Sequence, residues 1–524
     1  MSQAAQRVGS ATGVLAATCI STLVVNANTS AVSILLPAIR KDTGTSVETL
    51  PWAVTGYSLV GVAVIITSGS LGDVFGRKRI FMGGLLLFVV SCVLIALAQT
   101  GGMVIAGRLV QGASGATILA CGLSLLSVGT SGERQVRAIS MWGAAAAVGA
   151  AAGPLLGGVL VDVTGWQGLF WIDAGVAVGC MILTTVAVAE SRDPDRARSI
   201  DYAGTVLVAL TLMPLILAFS KSGAWGWLSP ATLACFAITV LAGFAFIRVE
   251  HRVSVPLLDL ALLRNRVLVG STIAILIAAG TINGLMYLFS IYFQNPATLG
   301  FSPLQAGLAT LPATVGLVAV TPLLPRLTAR LGGRQTIALG FAVTTAGFVV
   351  VGFTKGSWSY AAFFLPLIAI AVGMGLSNGP SSSGATASVP PAQVGEASGV
   401  SNMARYVGAA VATALAATVY GSVAANHEGD GASTASSLAA GLGAASWLMA
   451  ALSIVGVAIA LVVIARYKSG RGLNTLDDVL AAAASSVHTI PPPTAISQVP
   501  PDQGTPDRDQ TPMPRTPPSS PPML

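Results

Sequence analysis

The stretch at residues 104–118, VIAGRLVQGASGATI, sets a fixed positive charge among aliphatic and small side chains. Arg108, Gln111, Gly112 and Gly115 stand at spacings of three, four and seven, so on a helix they share one face. A charge inside hydrocarbon costs on the order of 3 kcal/mol or more unless it meets water, a counter-ion or a ligand. The chemistry open to such an arginine is to hold and release a carboxylate whose proton is exchanged between two aqueous sides. The competing reading is an arginine that snorkels to the outer interface. Within the apolar runs the acids are Asp162 and Asp173, the latter in LFWIDAGVAVG. Asp173 is the candidate counter-ion or proton carrier; an outer-rim acid with no part in coupling is the alternative.

These residues need a membrane around them, and the composition supplies it. Over 524 residues only 9% are charged and 53% are hydrophobic, a balance that excludes a soluble multidomain chain. A bilayer core about 30 Å thick takes roughly 20 apolar residues as a helix. Such runs occur near 13–38, 50–72, 80–99, 103–128, 138–161 and 169–189, then 203–220 and 228–247. A further set lies at 267–293, 303–325, 335–353, 360–378, 399–422 and 443–466. The fourteen spans, grouped six, two and six, predict an all-α polytopic membrane protein: two six-helix bundles plus two inserted transmembrane helices. Its parts are residues 1–12, a bundle at 13–190, the inserted pair at 203–247, a bundle at 267–466 and a tail at 467–524. A β-barrel would alternate apolar and polar residues, and no run does. The first run is too long and lacks the basic leader of a cleaved signal peptide. Cys19, Cys92, Cys121, Cys180 and Cys235 all fall in spans, at spacings that suit packing rather than a metal cluster or disulfide framework.

Charge gives the orientation. With the amino terminus in the cytoplasm, twenty basic residues fall on the cytoplasmic side, among them Arg77, Lys78, Arg79, Arg134, Arg137, Arg330, Arg334 and Arg405. The opposite side takes four, Arg40, Lys41, Lys221 and Lys355, which is the positive-inside pattern for both termini cytoplasmic in a plasma (cell inner) membrane. The net charge of +7 is therefore a topology signal, and nucleic acid is not an expected partner. The Pro-rich segment TIPPPTAISQVPPDQGTPDRDQTPMPRTPPSSPPML cannot bury a core and reads as a disordered cytoplasmic tail.

Two further motifs punctuate the first bundle. In GSLGDVFGRKRIF, residues 69–81, glycines permit a tight reversal while Asp73 and Arg77 bring opposite charges to the cytoplasmic rim, as a releasable latch between bundles requires. In GAAAAVGAAAGPLLGGVLVD, Gly149, Gly153 and Gly157 recur every four residues with Pro154 and Gly158 beside them, a ladder for close helix approach. GSLGDVFGRKR, AGRLVQGASGA and GAAAGPLLGG together resemble the signature motifs of the major facilitator superfamily, the last typical of its antiporters. Fourteen spans resemble its drug:proton antiporter branch, over about residues 13–466.

That resemblance implies two bundles around a central cavity, substrate near the midplane and alternating access by rocking. It also implies a latch in which Asp73 and Glu133 pair with cations, since the matching turn PRLTARLGGRQ of the second bundle has no carboxylate. One departure stands out. The acid that relatives carry in span one falls on Asn28, and where they show asparagine in span six this chain has Asp173. Asn26, Asn28, Thr29, Ser30, Ser33, Tyr57, Gln111, Asn283, Tyr287, Asn378 and Asn402 either line the cavity or bond between helices.

The reading is a proton-coupled exporter of lipophilic or cationic small molecules, a monomer whose partners are substrate, protons and membrane lipids. Export of an endogenous lipid or metabolite is the alternative within transport. An uncoupled scaffold or receptor, favoured by Asn28, is the alternative outside it. Enzymatic chemistry has no constellation, since His251, His427 and His488 all lie outside the spans. With no GxxxxGK[ST] loop, the proton gradient is the expected energy source and no cofactor is expected.

Overall fold

The computed structural model describes residues 10–44, 52–130, 132–191, 201–253, 256–390, 393–429 and 431–463. The expected tail at 467–524, and the charged loop residues Arg192, Arg196 and Arg198, lie outside the described residues. Six long helices come first: α1 (Ala11–Thr43), α2 (Trp52–Phe75), α3 (Arg77–Ala96), α4 (Gly101–Gly129), α5 (Gly132–Thr164) and α6 (Gln167–Ala187). The inserted pair is α7 (Tyr202–Trp225) and α8 (Pro230–Glu250). A second set comprises α9 (Arg266–Gln294), the short α10 (Pro303–Ala309), α11 (Leu311–Val320) and α12 (Leu324–Leu331), then α13 (Gly333–Gly352), α14 (Ala361–Ala387), α15 (Val394–Gly429) and α16 (Thr434–Ala458). Counting α10–α12 as one crossing, fourteen stretches are long and apolar enough to span a membrane.

The tenth span departs from the single run expected at 303–325. Pro312, Pro322 and Pro325 each stand in the first turn of a new segment, because proline offers no N–H to the preceding turn and clashes with it. Most of the other helices are longer than their apolar runs, α15 most of all, while α3 and α6 match theirs in length.

Each bundle buries its own core. In the first, Phe81 and Phe88 of α3, Leu125 of α4, Trp166 and Phe170 of α6 and Leu35 of α1 pack together. In the second, Phe289 and Phe293 of α9 meet Phe348 of α13, Phe363 of α14 and Met449 of α16, with edge-on ring contacts such as Phe289 on Phe363 at 5.6 Å. Val208, Leu212 and Ile216 of α7 lie on Leu59, Val62 and Ile66 of α2 and on Met403 of α15, so the inserted pair abuts both bundles. On α8 the apolar side chains Leu233, Val240, Leu241 and Phe244 stay exposed, as a lipid-facing helix requires.

The glycine ladder of α5 is answered by α1. A Cβ at Gly149 would collide with the Leu23 carbonyl and one at Gly153 with the Ala27 carbonyl, while Gly157 sits over Ala31. Gly158 points into open space and takes no part. The side chain of Pro154 lies outside the described residues. Two reversals also require glycine: Gly76 between α2 and α3 has φ 112°, and Gly332 between α12 and α13 has φ 83°.

Gly153→Leu is expected to force α1 and α5 apart and to destabilise the protein by about 1–3 kcal/mol. Gly158→Ala, which meets nothing, is expected to be neutral. Thermal unfolding of the detergent-solubilised variants distinguishes the two.

Candidate functional site

Arg108 stands seven residues into α4, about 10 Å along its axis, and is 0% exposed. Its Nε donates to the Ala53 carbonyl of α2 at 3.0 Å. Its Nη1 donates to Asn28 Oδ1 of α1 at 2.6 Å and to Gln111 Oε1 at 2.5 Å. Beneath it lies the Tyr57 ring of α2, with the guanidinium carbon 4.3 Å from the centroid. The glycines on this face make room for that ring: a Cβ at Gly112 would collide with the Tyr57 carbonyl, and one at Gly115 would stand 2.5 Å from its hydroxyl.

Asn28 then turns its amide outward. Its Nδ2 donates to Asp173 Oδ2 of α6 at 2.7 Å, so arginine, asparagine and aspartate form one chain across three helices. Asp173 lies six residues into α6 and is 5% exposed, which places it inside the bundle rather than at its rim. Gln111 closes the other end by donating to Cys92 Sγ at 3.1 Å. Arg108 therefore does not snorkel. Its charge is met by two side-chain carbonyl dipoles, an aromatic face and, one amide away, a carboxylate. Its Nη2 has no hydrogen-bond partner among the described residues.

The second cluster lies at the end of the bundles that carries the α2–α3 turn. Asp73 Oδ1 is 2.6 Å from Arg77 Nη2, and both are buried. The same carboxylate crosses to the other bundle, where Oδ1 accepts from the Gly395 N–H at 3.1 Å and Oδ2 from the Glu396 N–H at 3.2 Å. Those are the second and third residues of α15, the N–H groups that an N-cap side chain satisfies. An aspartate of one bundle thus caps a helix of the other. Contact this close needs glycine on both sides: a Cβ at Gly69 would strike the Gly395 carbonyl, and one at Gly399 would come within 2.9 Å of Ile66 Cα. Two hydroxyls add ties at this end, Ser398 to the Ala120 carbonyl at 2.6 Å and Ser127 to Thr386 Oγ1 at 3.0 Å.

The latch combines the expected pairing of Asp73 with a cation near the rim and a contact that the sequence did not suggest. Asp73 pairs with the arginine of its own turn, and its inter-bundle partner is a helix N-terminus. The side chain of Glu133 lies outside the described residues, as do those of Ser33 and Asp162. Glu190, absent from the sequence reading, accepts from the backbone N–H groups of Lys78 and Arg79 and caps α3 in the same manner.

Other expected cavity residues fall apart from Arg108. Asn26, Ser30 and Asn283 bond to carbonyls three or four residues back on their own helices, whereas Thr29, besides bonding to the Val25 carbonyl, also reaches the Tyr57 hydroxyl of α2 and so joins the Arg108 surroundings. Asn402 donates to Ser398 of its own helix, and Tyr287 is half-buried in the second core. The main correction concerns Arg405, counted above among the cytoplasmic basic residues. It stands eleven residues into α15, about 16 Å from its start, where Nη1 donates to Asn378 Oδ1 at 2.8 Å and Nη2 to Ser382 Oγ at 2.6 Å. The signal for it was the one that revealed Arg108: an arginine inside an apolar run.

A buried charge chain within a fourteen-span helical protein, with a latch joining two bundles, defines a polytopic membrane transporter. The chain belongs to the Major Facilitator Superfamily, whose family model matches residues 18–413. It is 30% identical over 407 residues to the multidrug efflux pump LfrA of Mycolicibacterium smegmatis, covering 78% of this chain and 80% of that one. The tetracenomycin C resistance and export protein of Streptomyces glaucescens is 29% identical, with 79% and 76% covered. In fold it is similar to the human organic anion transporter MFSD10 (TETRAN), with a TM-score of 0.60 at 16% identity, over 86% of this chain and 99% of that one.

Asp73→Ala is expected to cost the α15 cap about 1–2 kcal/mol. The amides of Gly395 and Glu396 should then exchange hydrogen roughly 5–30 times faster. Arg79→Gln, which breaks an exposed 3.7 Å pair, should leave them unchanged.

Proposed function

We propose that this chain is a secondary transporter of the plasma membrane that exports lipophilic small molecules in exchange for protons. Both termini lie in the cytoplasm in this reading, supported by the excess of basic residues beside the α2–α3 turn. The Asp73 latch then closes the cytoplasmic end, and the Arg108 chain lies toward the outer half. Relatives whose names denote multidrug efflux and antibiotic export support small-molecule export as the direction of work.

The observation that carries proton coupling is the contact of Asn28 with Asp173. The family resemblance implies an acid in span one and an amide in span six. Here the same two groups are in direct hydrogen bond with their positions exchanged. The site retains its carboxylate, which removes the ground for reading the chain as an uncoupled scaffold. Ionised, Asp173 offsets the Arg108 charge through the Asn28 dipole, and the chain holds α1, α4 and α6 together. Protonated, it withdraws that counter-charge and leaves Arg108 to be met by another group or by water. One site thus has two charge states, each favouring a different arrangement of helices, as exchange across alternating access requires.

Two variants test the assignment in proteoliposomes carrying a pH-sensitive dye, with a panel of lipophilic dyes as substrate. Asp173→Asn is expected to abolish substrate-driven proton movement while dye binding persists. The double variant Asn28→Asp with Asp173→Asn, which returns the acid to span one, is expected to restore it. Full coupling in Asp173→Asn would refute the role given to Asp173.

A further inference from the structure

Arg405 poses the problem of Arg108 a second time, without its solution. Among the described residues no carboxylate forms an ion pair with it. Its neighbours are neutral acceptors of α14, Asn378 and Ser382, and the face of Trp142 in α5, 5.5 Å from the guanidinium carbon to the ring centroid. The Nε of Arg405 is buried with no acceptor. So is the Nε1 of Trp142, a residue that is 2% exposed. Both nitrogens are donors only, and neither can be satisfied by rotating into a different role. Ser140, one half-turn before Trp142 and packed against Gly379 of α14, leaves its hydroxyl unpartnered as well.

These groups meet where α5 of the first bundle faces α14 and α15 of the second, along the seam that rocking would open and close. Among the described residues the seam thus holds unspent nitrogen donors around a cation and no negative charge to meet it. Arg108 does not share the deficit, because Asp173 answers it.

We infer that Arg405 and Trp142 form a recognition site for one acidic oxygen group of the exported molecule, so that the substrate class is a lipophilic monoanion such as an aromatic carboxylate. This inference rests on the transport reading above and narrows it, and it excludes the lipophilic cation from the expected substrates. A carboxylate between the guanidinium and the indole takes charge-assisted hydrogen bonds in a site poor in water, where they are strongest. A cation there meets the like charge of Arg405. The apolar remainder of the substrate lies on the aromatic and aliphatic walls of the seam.

The test uses three fluorescent probes on one skeleton: pyrenebutyrate, its methyl ester and pyrenebutylamine. Binding to the purified protein is read by pyrene fluorescence, and export is read in proteoliposomes under a pH gradient. The wild type is expected to bind the acid at least about tenfold more tightly than the ester or the amine. Arg405→Gln should lower acid binding about tenfold and leave the ester unchanged, which also shows the variant folded. Arg405→Lys should retain most of the preference, and Trp142→Phe should weaken acid binding about three- to fivefold. An acid-to-ester ratio that Arg405→Gln does not move overturns the inference, as does tighter wild-type binding of the amine. Ester export with such an unmoved ratio leaves transport standing and removes the acid site. Binding that depends on Arg405, with no gradient-driven export of any probe, leaves the acid site standing and removes transport.

Discussion

A guanidinium in hydrocarbon must be neutralised where it stands, and the first bundle is arranged around that demand. Three helices supply four means of offsetting the charge of Arg108: a backbone carbonyl and the face of Tyr57 from α2, an amide oxygen from α1, and a second amide on α4 itself. The glycines of α4 exist on this face because Tyr57 fills the space their side chains would take. Removing any one partner leaves a buried charge short of a bond, so the helices are held in position by electrostatics as much as by packing. Asp173 completes the set at one remove, and the intervening amide matters. Asn28 separates the carboxylate from the arginine, so that under the proposed coupling Asp173 would change its charge without touching the arginine's direct contacts.

The latch works by a related economy at a different level of the membrane. Asp73 serves three donors at once, one guanidinium and two main-chain N–H groups, and glycines on both helices let it reach them. The reversal that presents it has a counterpart in the second bundle, where Gly332 repeats the positive φ of Gly76, yet no acid stands there. The two halves of the molecule share a backbone design and divide the chemistry unequally. Arg405 extends that asymmetry: the first bundle holds a charge with its answer, the second a charge without one.

Much of this was legible in the sequence, and the exceptions have physical causes. Fourteen helices could be counted because a bilayer forces each crossing into a long apolar run. The face of Arg108, Gln111, Gly112 and Gly115 followed from helical spacing alone. Asn28 and Asp173 each stood out in the sequence, but the bond between them did not follow, since 145 residues separate them. Arg405 lies inside the run at 399–422, six residues from its cytoplasmic start, and was counted with the cytoplasmic charges; the helix begins earlier, at Val394, and so carries it deeper. The partner of Asp73 had no side-chain signature to find. Polar residues such as Asn26 and Asn283 looked like cavity or bridge groups, but a side chain in apolar surroundings meets its nearest acceptor first, the carbonyl one turn behind.

Because the lock between the bundles is received by main chain, its receiving side is written in no particular side-chain chemistry. Positions 395 and 396 present amides with any residue but proline, and at 395 bulk also disqualifies a replacement. Such a joint tolerates mutational drift in one half of the protein while the other half keeps a single aspartate. An exporter facing changing compounds can therefore remodel the lining of its second bundle over generations without renegotiating how the two halves close.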